Sequence, residues 1–149
     1  MDPLLSDAAF GYAMMLVRLR RYHEARDRLT DGMKAHPDEP MFSHALARLL
    51  AAAPDDRVRD GRRAKILVDA LFKAQQSIEL GETIAMTLAE LQQYEQAAAV
   101  QRDMMAAAKQ AGLSDVAVRR MAENLRLYER RELRLADRSL EWQVLQLMW

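Results

Sequence analysis

Apolar residues recur along this chain at intervals of three and four. No stretch alternates apolar and polar residues with β-branched enrichment, so the pattern predicts helices throughout and no strand. Ser6 suits the N-cap of a first helix reaching about Arg20. A second runs from Tyr22 to about Ala35 and stops before Pro37. Pro40 fits the first turn of a third, which ends before Pro54. Gly61 opens a fourth helix to about Gln75, and a fifth spans about Gly81 to Gln92. A sixth runs from Tyr94 to Ala111, with Gly112 as its left-handed terminator. Ser114 caps a seventh, whose stripe is Val118, Met121, Ala122, Leu125 and Tyr128. Beyond Arg131, Leu140, Val144, Leu147 and Met148 keep helical spacing beside Trp142, Leu145 and Trp149. A tail this apolar is expected to pack back on the domain; docking into a second copy is the alternative.

Two stretches repeat one another. Ala13 to Ala25 and Ala85 to Ala97 both read Ala-Met-x-Leu-x-x-Leu-x-x-Tyr-x-x-Ala, offset by 97 − 25 = 72 residues. A weaker copy lies between them, where Ala47 and Ala64 occupy the small-residue places; the steps are 64 − 25 = 39 and 97 − 64 = 33. Alanine at these points lets two antiparallel helices approach closely, and Tyr22 and Tyr94 are placed to fill the space at the turn. A single helix pair cannot bury its apolar faces alone, so the copies are expected to stack.

Steps of this size bracket the ~34-residue period of tetratricopeptide repeats. On Ala13, Tyr22, Ala25 and Pro37, on Ala47 and Ala64, and on Ala85, Tyr94 and Ala97, the chain resembles that family over roughly residues 6–112, with a following cap-like helix. The family's first-helix tryptophan is Ala9, Ser43 and Gly81 here. The third copy lacks the closing proline, and residues 54–61 add about five residues between the helices of the second. The resemblance implies an all-α fold, a right-handed α-solenoid of about three hairpins with a C-terminal capping helix. Residues 1–131 would form that domain and 132–149 a helical tail, either packed on it or serving as an interface.

The resemblance also implies that the first helix of each pair lines a concave wall. The wall residues would be Phe10, Met14, Val17 and Arg18; then Met41, His44, Arg48 and Ala51; then Glu82, Met86, Ala89 and Glu90. The expected floor is apolar and rich in methionine, which accommodates varied apolar side chains. Arg18 and Arg48 lie toward one side, Glu82 and Glu90 toward the other, complementing a peptide or helix with apolar anchors and opposite charge at its two ends. None of these positions is lysine or asparagine, so a carboxylate clamp of the chaperone-binding kind is not expected. Met14→Glu and Met86→Glu are expected to abolish partner capture while leaving the helices intact.

Composition narrows the rest. The chain has 149 residues, enough for one domain with a real core, and its five glycines and four prolines leave helix formers dominant. Lysine plus arginine and aspartate plus glutamate each number 22, so no basic excess favours nucleic acid. The arginine clusters have acidic neighbours and read as salt-bridged helix surfaces. Zero cysteine excludes disulfides and thiolate metal sites and is compatible with the cytoplasm. His23, His36 and His44 include no i, i+4 pair, and Asp55, Asp56 and Asp60 lack calcium-loop spacing, so residues 54–61 read as a solvated loop. No apolar run reaches the ~20 residues of a membrane helix, and no basic leader opens the chain. The expectation is therefore a cytoplasmic, non-enzymatic scaffold that binds a protein partner without cofactor or metal. The rival readings are a docking or regulatory domain of a larger enzyme and an RNA-binding helical repeat.

Overall fold

The computed structural model describes residues 3–131, which form seven α-helices and no strand. These are α1 (Pro3–Arg18), α2 (Tyr22–Ala35), α3 (Pro40–Ala52), α4 (Gly61–Ala74), α5 (Ile78–Glu90), α6 (Tyr94–Gln110) and α7 (Asp115–Glu129). The expectations for the tail fall on residues 132–149, outside the described residues. Each helix packs on the next, and α3 also packs on α5, so the second and third hairpins share a contact between their first helices. The Phe10 ring meets the Phe42 ring edge-on at 5.7 Å, joining α1 to α3. One large apolar cluster runs through this arrangement, from Phe10 on α1 to Tyr128 on α7.

The small residues of the repeat have the burial their spacing implies. Ala13, Ala25, Ala47, Ala64, Ala85 and Ala97 are all fully buried. The two clearest copies also turn in the same way. Arg20 and Gln92 adopt left-handed φ values of 60° and 63°. Arg20 N donates to Val17 O and Arg21 N to Leu16 O, and Gln92 N donates to Ala89 O and Gln93 N to Leu88 O. This double hydrogen bond closes the end of a helix and reverses the chain. Arg131, with φ 60°, begins the same geometry after α7.

Two helix starts differ from expectation. α1 begins at Pro3, since proline suits a first turn, and Ser6 is buried inside the helix. α5 begins at Ile78 because the Ser77 hydroxyl accepts the Leu80 N–H at 3.1 Å, a cap four residues ahead of Gly81. The segment between α3 and α4 is anchored as well. Val58 is buried, Asp60 N donates to Leu50 O at 2.8 Å, and Arg59 reaches both Ala53 O and the Glu90 carboxylate. Glycine is needed at position 32, where an added Cβ would run into the Phe42 ring.

The tight alanine contacts give a direct test. Ala25 has no exposed surface, so Ala25→Trp forces the α1–α2 hairpin apart and destabilises by about 1–3 kcal/mol or more. An unchanged melting temperature would count against the paired packing.

Candidate functional site

The twelve wall positions divide by environment. Phe10, Met14, Val17, Arg48, Ala51, Glu82, Met86 and Ala89 are buried, so they do not form an open floor. The reason lies in α3 and α5. Every residue from Ala45 to Ala53 and, Ile84 aside, from Leu80 to Ala89 is buried, so these helices are enclosed all round rather than on one stripe. Met14→Glu and Met86→Glu would therefore bury a charge in the core and unfold the chain, in place of the selective loss expected from sequence. Arg18 is exposed at the end of α1. Glu90 is half-buried and paired with Arg59 at 3.1 Å; burial pushes its carboxyl above the usual range, and Arg59 opposes that rise.

Arg48, Glu82 and His44 are brought together in a polar network between α3 and α5. Arg48 has 0% exposure. Its Nε donates to Thr83 Oγ1 at 2.6 Å and its Nη2 to Glu79 O at 2.8 Å, and Nη2 lies 3.8 Å from the Glu82 carboxylate. Burial lowers the Arg48 pKa, while Glu82 and Glu79 act to raise it; a guanidinium so placed stays charged. Burial also raises the Glu82 carboxyl, chiefly against the pull of Arg48. The Tyr128 phenol from α7 is pushed upward by burial and then by Glu82. Gln101 of α6 donates to Met121 O at 3.0 Å, tying α6 to α7 beneath the network.

Thr83 fixes the state of His44. Its hydroxyl proton goes to Glu79 O at 3.0 Å, so its lone pairs receive Arg48 Nε and His44 Nε2, the latter at 2.8 Å. His44 Nε2 must therefore carry a proton. Burial, reinforced by the Arg48 charge, lowers the His44 pKa to about 3, so the imidazole is neutral at pH 7.

Beside this network, a cavity of about 320 Å³ opens where α3, α4 and α5 meet. Pro40, Met41 and His44 line one side, Leu71 and Gln75 another, and Ser77 and Leu80 the third. Met41 and His44, both half-buried, are the wall positions that remain accessible there. Sequence reasoning missed Leu71 because the lip of the cavity includes the end of a second helix, and Leu80 because α5 starts at Ile78, ahead of the expected Gly81. Among the described residues no group of three His, Cys, Asp or Glu side chains could hold a metal, and no helix is long and apolar enough to cross a membrane. No family model, curated protein or solved structure matches the chain.

Proposed function

We propose that this chain is a protein–protein interaction module built as a tetratricopeptide-like solenoid, holding an apolar anchor of a partner peptide or helix at the mouth between α3, α4 and α5. The observation that carries this reading is the Met41–His44 cavity. It pairs an adaptable thioether and leucine side chains with the polar rim of Gln75 and Ser77. The enclosed network beneath keeps α3 and α5 in fixed register, so the cavity wall is preorganised. The repeated turns and the buried alanines support the solenoid part of the proposal. A cytoplasmic, scaffold-type role belongs to the same reading.

The test is peptide display on the immobilised chain. Helical or extended peptides with a large apolar anchor should be enriched, and Met41→Glu should weaken them by roughly tenfold or more, since charging the wall opposes an apolar side chain. Circular dichroism should be unchanged, because Met41 is only half-buried. Equal binding by Met41→Glu would remove the cavity from the reading. Enrichment of oligonucleotides with a steep salt dependence would replace it with the RNA-binding alternative.

A further inference from the structure

α1 carries two apolar faces. One, with Phe10, Ala13, Met14 and Val17, is in the core. The other consists of Leu5, Ala8, Tyr12 and Met15, continued by Leu19 in the turn just past the helix end, all exposed: Leu5 at 64%, Tyr12 at 41%, Met15 at 47% and Leu19 at 57%. Their spacing is three, four, three, four, the heptad spacing of a helix that pairs with another helix. A helix with this seam facing water spends apolar surface for no benefit to its own domain.

We propose that the occupant of this seam is α1 of a second copy of the chain, packed antiparallel across a two-fold axis. Three observations select that partner. The seam is self-complementary: in an antiparallel register Ala8 faces the partner's Leu19, small against large, and Tyr12 faces the partner's Met15, a thioether against a ring. The charges are segregated. Asp7 is exposed near the start of the helix and Arg18 near its end, so antiparallel pairing brings each Asp7 toward the partner's Arg18, whereas parallel pairing would set the arginines together. The helix dipoles favour the same direction. Arg28, whose guanidinium lies 5.4 Å from the Tyr12 ring centroid, supports the ring at the middle of the seam. A two-fold contact of this kind closes at two copies and does not propagate. One helix seam buries less than the roughly 800 Å² per partner of a standard interface, so the dimer dissociates on dilution.

Sedimentation of the full chain over a micromolar concentration series tests this. The wild type should move between monomer and dimer. Met15→Glu and Leu19→Glu should each weaken the dimer by roughly tenfold or more without loss of helicity, because both side chains already face solvent. Arg18→Asp should weaken it, and Asp7→Arg combined with Arg18→Asp should restore it. A wild type that stays monomeric at the highest concentration overturns the proposal. So does a dimer untouched by Met15→Glu and Leu19→Glu, or one lost in Leu140→Glu alone, which assigns association to the C-terminal segment. Open-ended polymers would contradict the two-fold closure. None of these results depends on whether Met41→Glu affects peptide binding.

Discussion

Arg48→Ala lowers the unfolding free energy by about 3–5 kcal/mol. The argument rests on what is left behind. The guanidinium has no exposed surface, and its contacts include Thr83, the Glu79 carbonyl and the Glu82 carboxylate. Without it, Glu82 keeps a buried carboxylate with its main opposing charge gone, and burial already raises its pKa with Arg48 present. The group then takes a proton or draws in water, and either response costs stability. Glu82→Gln should recover part of the loss in the Arg48→Ala background while being costly in the wild type, which a double-mutant cycle reads directly. Replacing both residues with methionine should come within ~1–2 kcal/mol of the wild type, since an apolar pair of similar volume often substitutes for a buried ion pair. Urea unfolding of the five proteins, the four of the cycle and the double methionine variant, measures all of this. A cost below about 1 kcal/mol for Arg48→Ala would mean that the pair behaves as a surface one.

This network marks where the sequence was readable and where it was not. Spacing located the alanines at 13, 25, 85 and 97, because close helix approach leaves a small residue at a fixed place in each copy, and all four are fully buried. Proline and glycine located the starts of α3 and α4. Spacing also put Arg48, Glu82 and Met86 on first helices. It did not say what covers those helices, because periodicity reports which residues share a face and not what faces them. In a neutral chain, Arg48 and Glu82 read as groove charges. The available signal was the company they keep. Arg48 sits inside Ala45–Ala53, and Glu82 among Leu80, Gly81, Thr83, Ala85 and Met86, runs with no solvated side to offer a charge. A charge in such a run is a buried partner awaiting its opposite. Residues 54–61 misled in the other direction. Their polar composition suggested a solvated loop, yet Val58 enters the core and Arg59 spans to Glu90.

Acidification should expose His44 as the group that most steeply links folding to pH. In the folded chain its pKa is about 3, set by burial and then by the nearby Arg48 charge, with the Glu79 backbone hydrogen bond opposing. In the unfolded chain it returns to about 6.5. Between those values the unfolded state holds a proton that the folded state does not, so stability rises with pH and is lost as pH falls. The slope approaches about 1.4 kcal/mol per pH unit, and moving from pH 7 to pH 5 removes about 2 kcal/mol through this residue. Glu82 acts with the opposite sign. Its raised pKa makes the folded state favourable below its ordinary range, and that contribution fades as pH rises through the folded value, so the raw curve is flatter than His44 alone would give. His44→Gln separates the two. Glutamine retains an N–H for Thr83 and cannot titrate, so at pH 7 the variant should lie within about 1 kcal/mol of the wild type. By pH 5 it should be the more stable protein, because it escapes the loss. Urea unfolding at pH 7, 6 and 5 decides the matter. Parallel pH curves for wild type and variant would mean that the folded chain lets His44 take up a second proton, at Nδ1, as readily as the unfolded chain does, Nε2 already donating to the Thr83 hydroxyl.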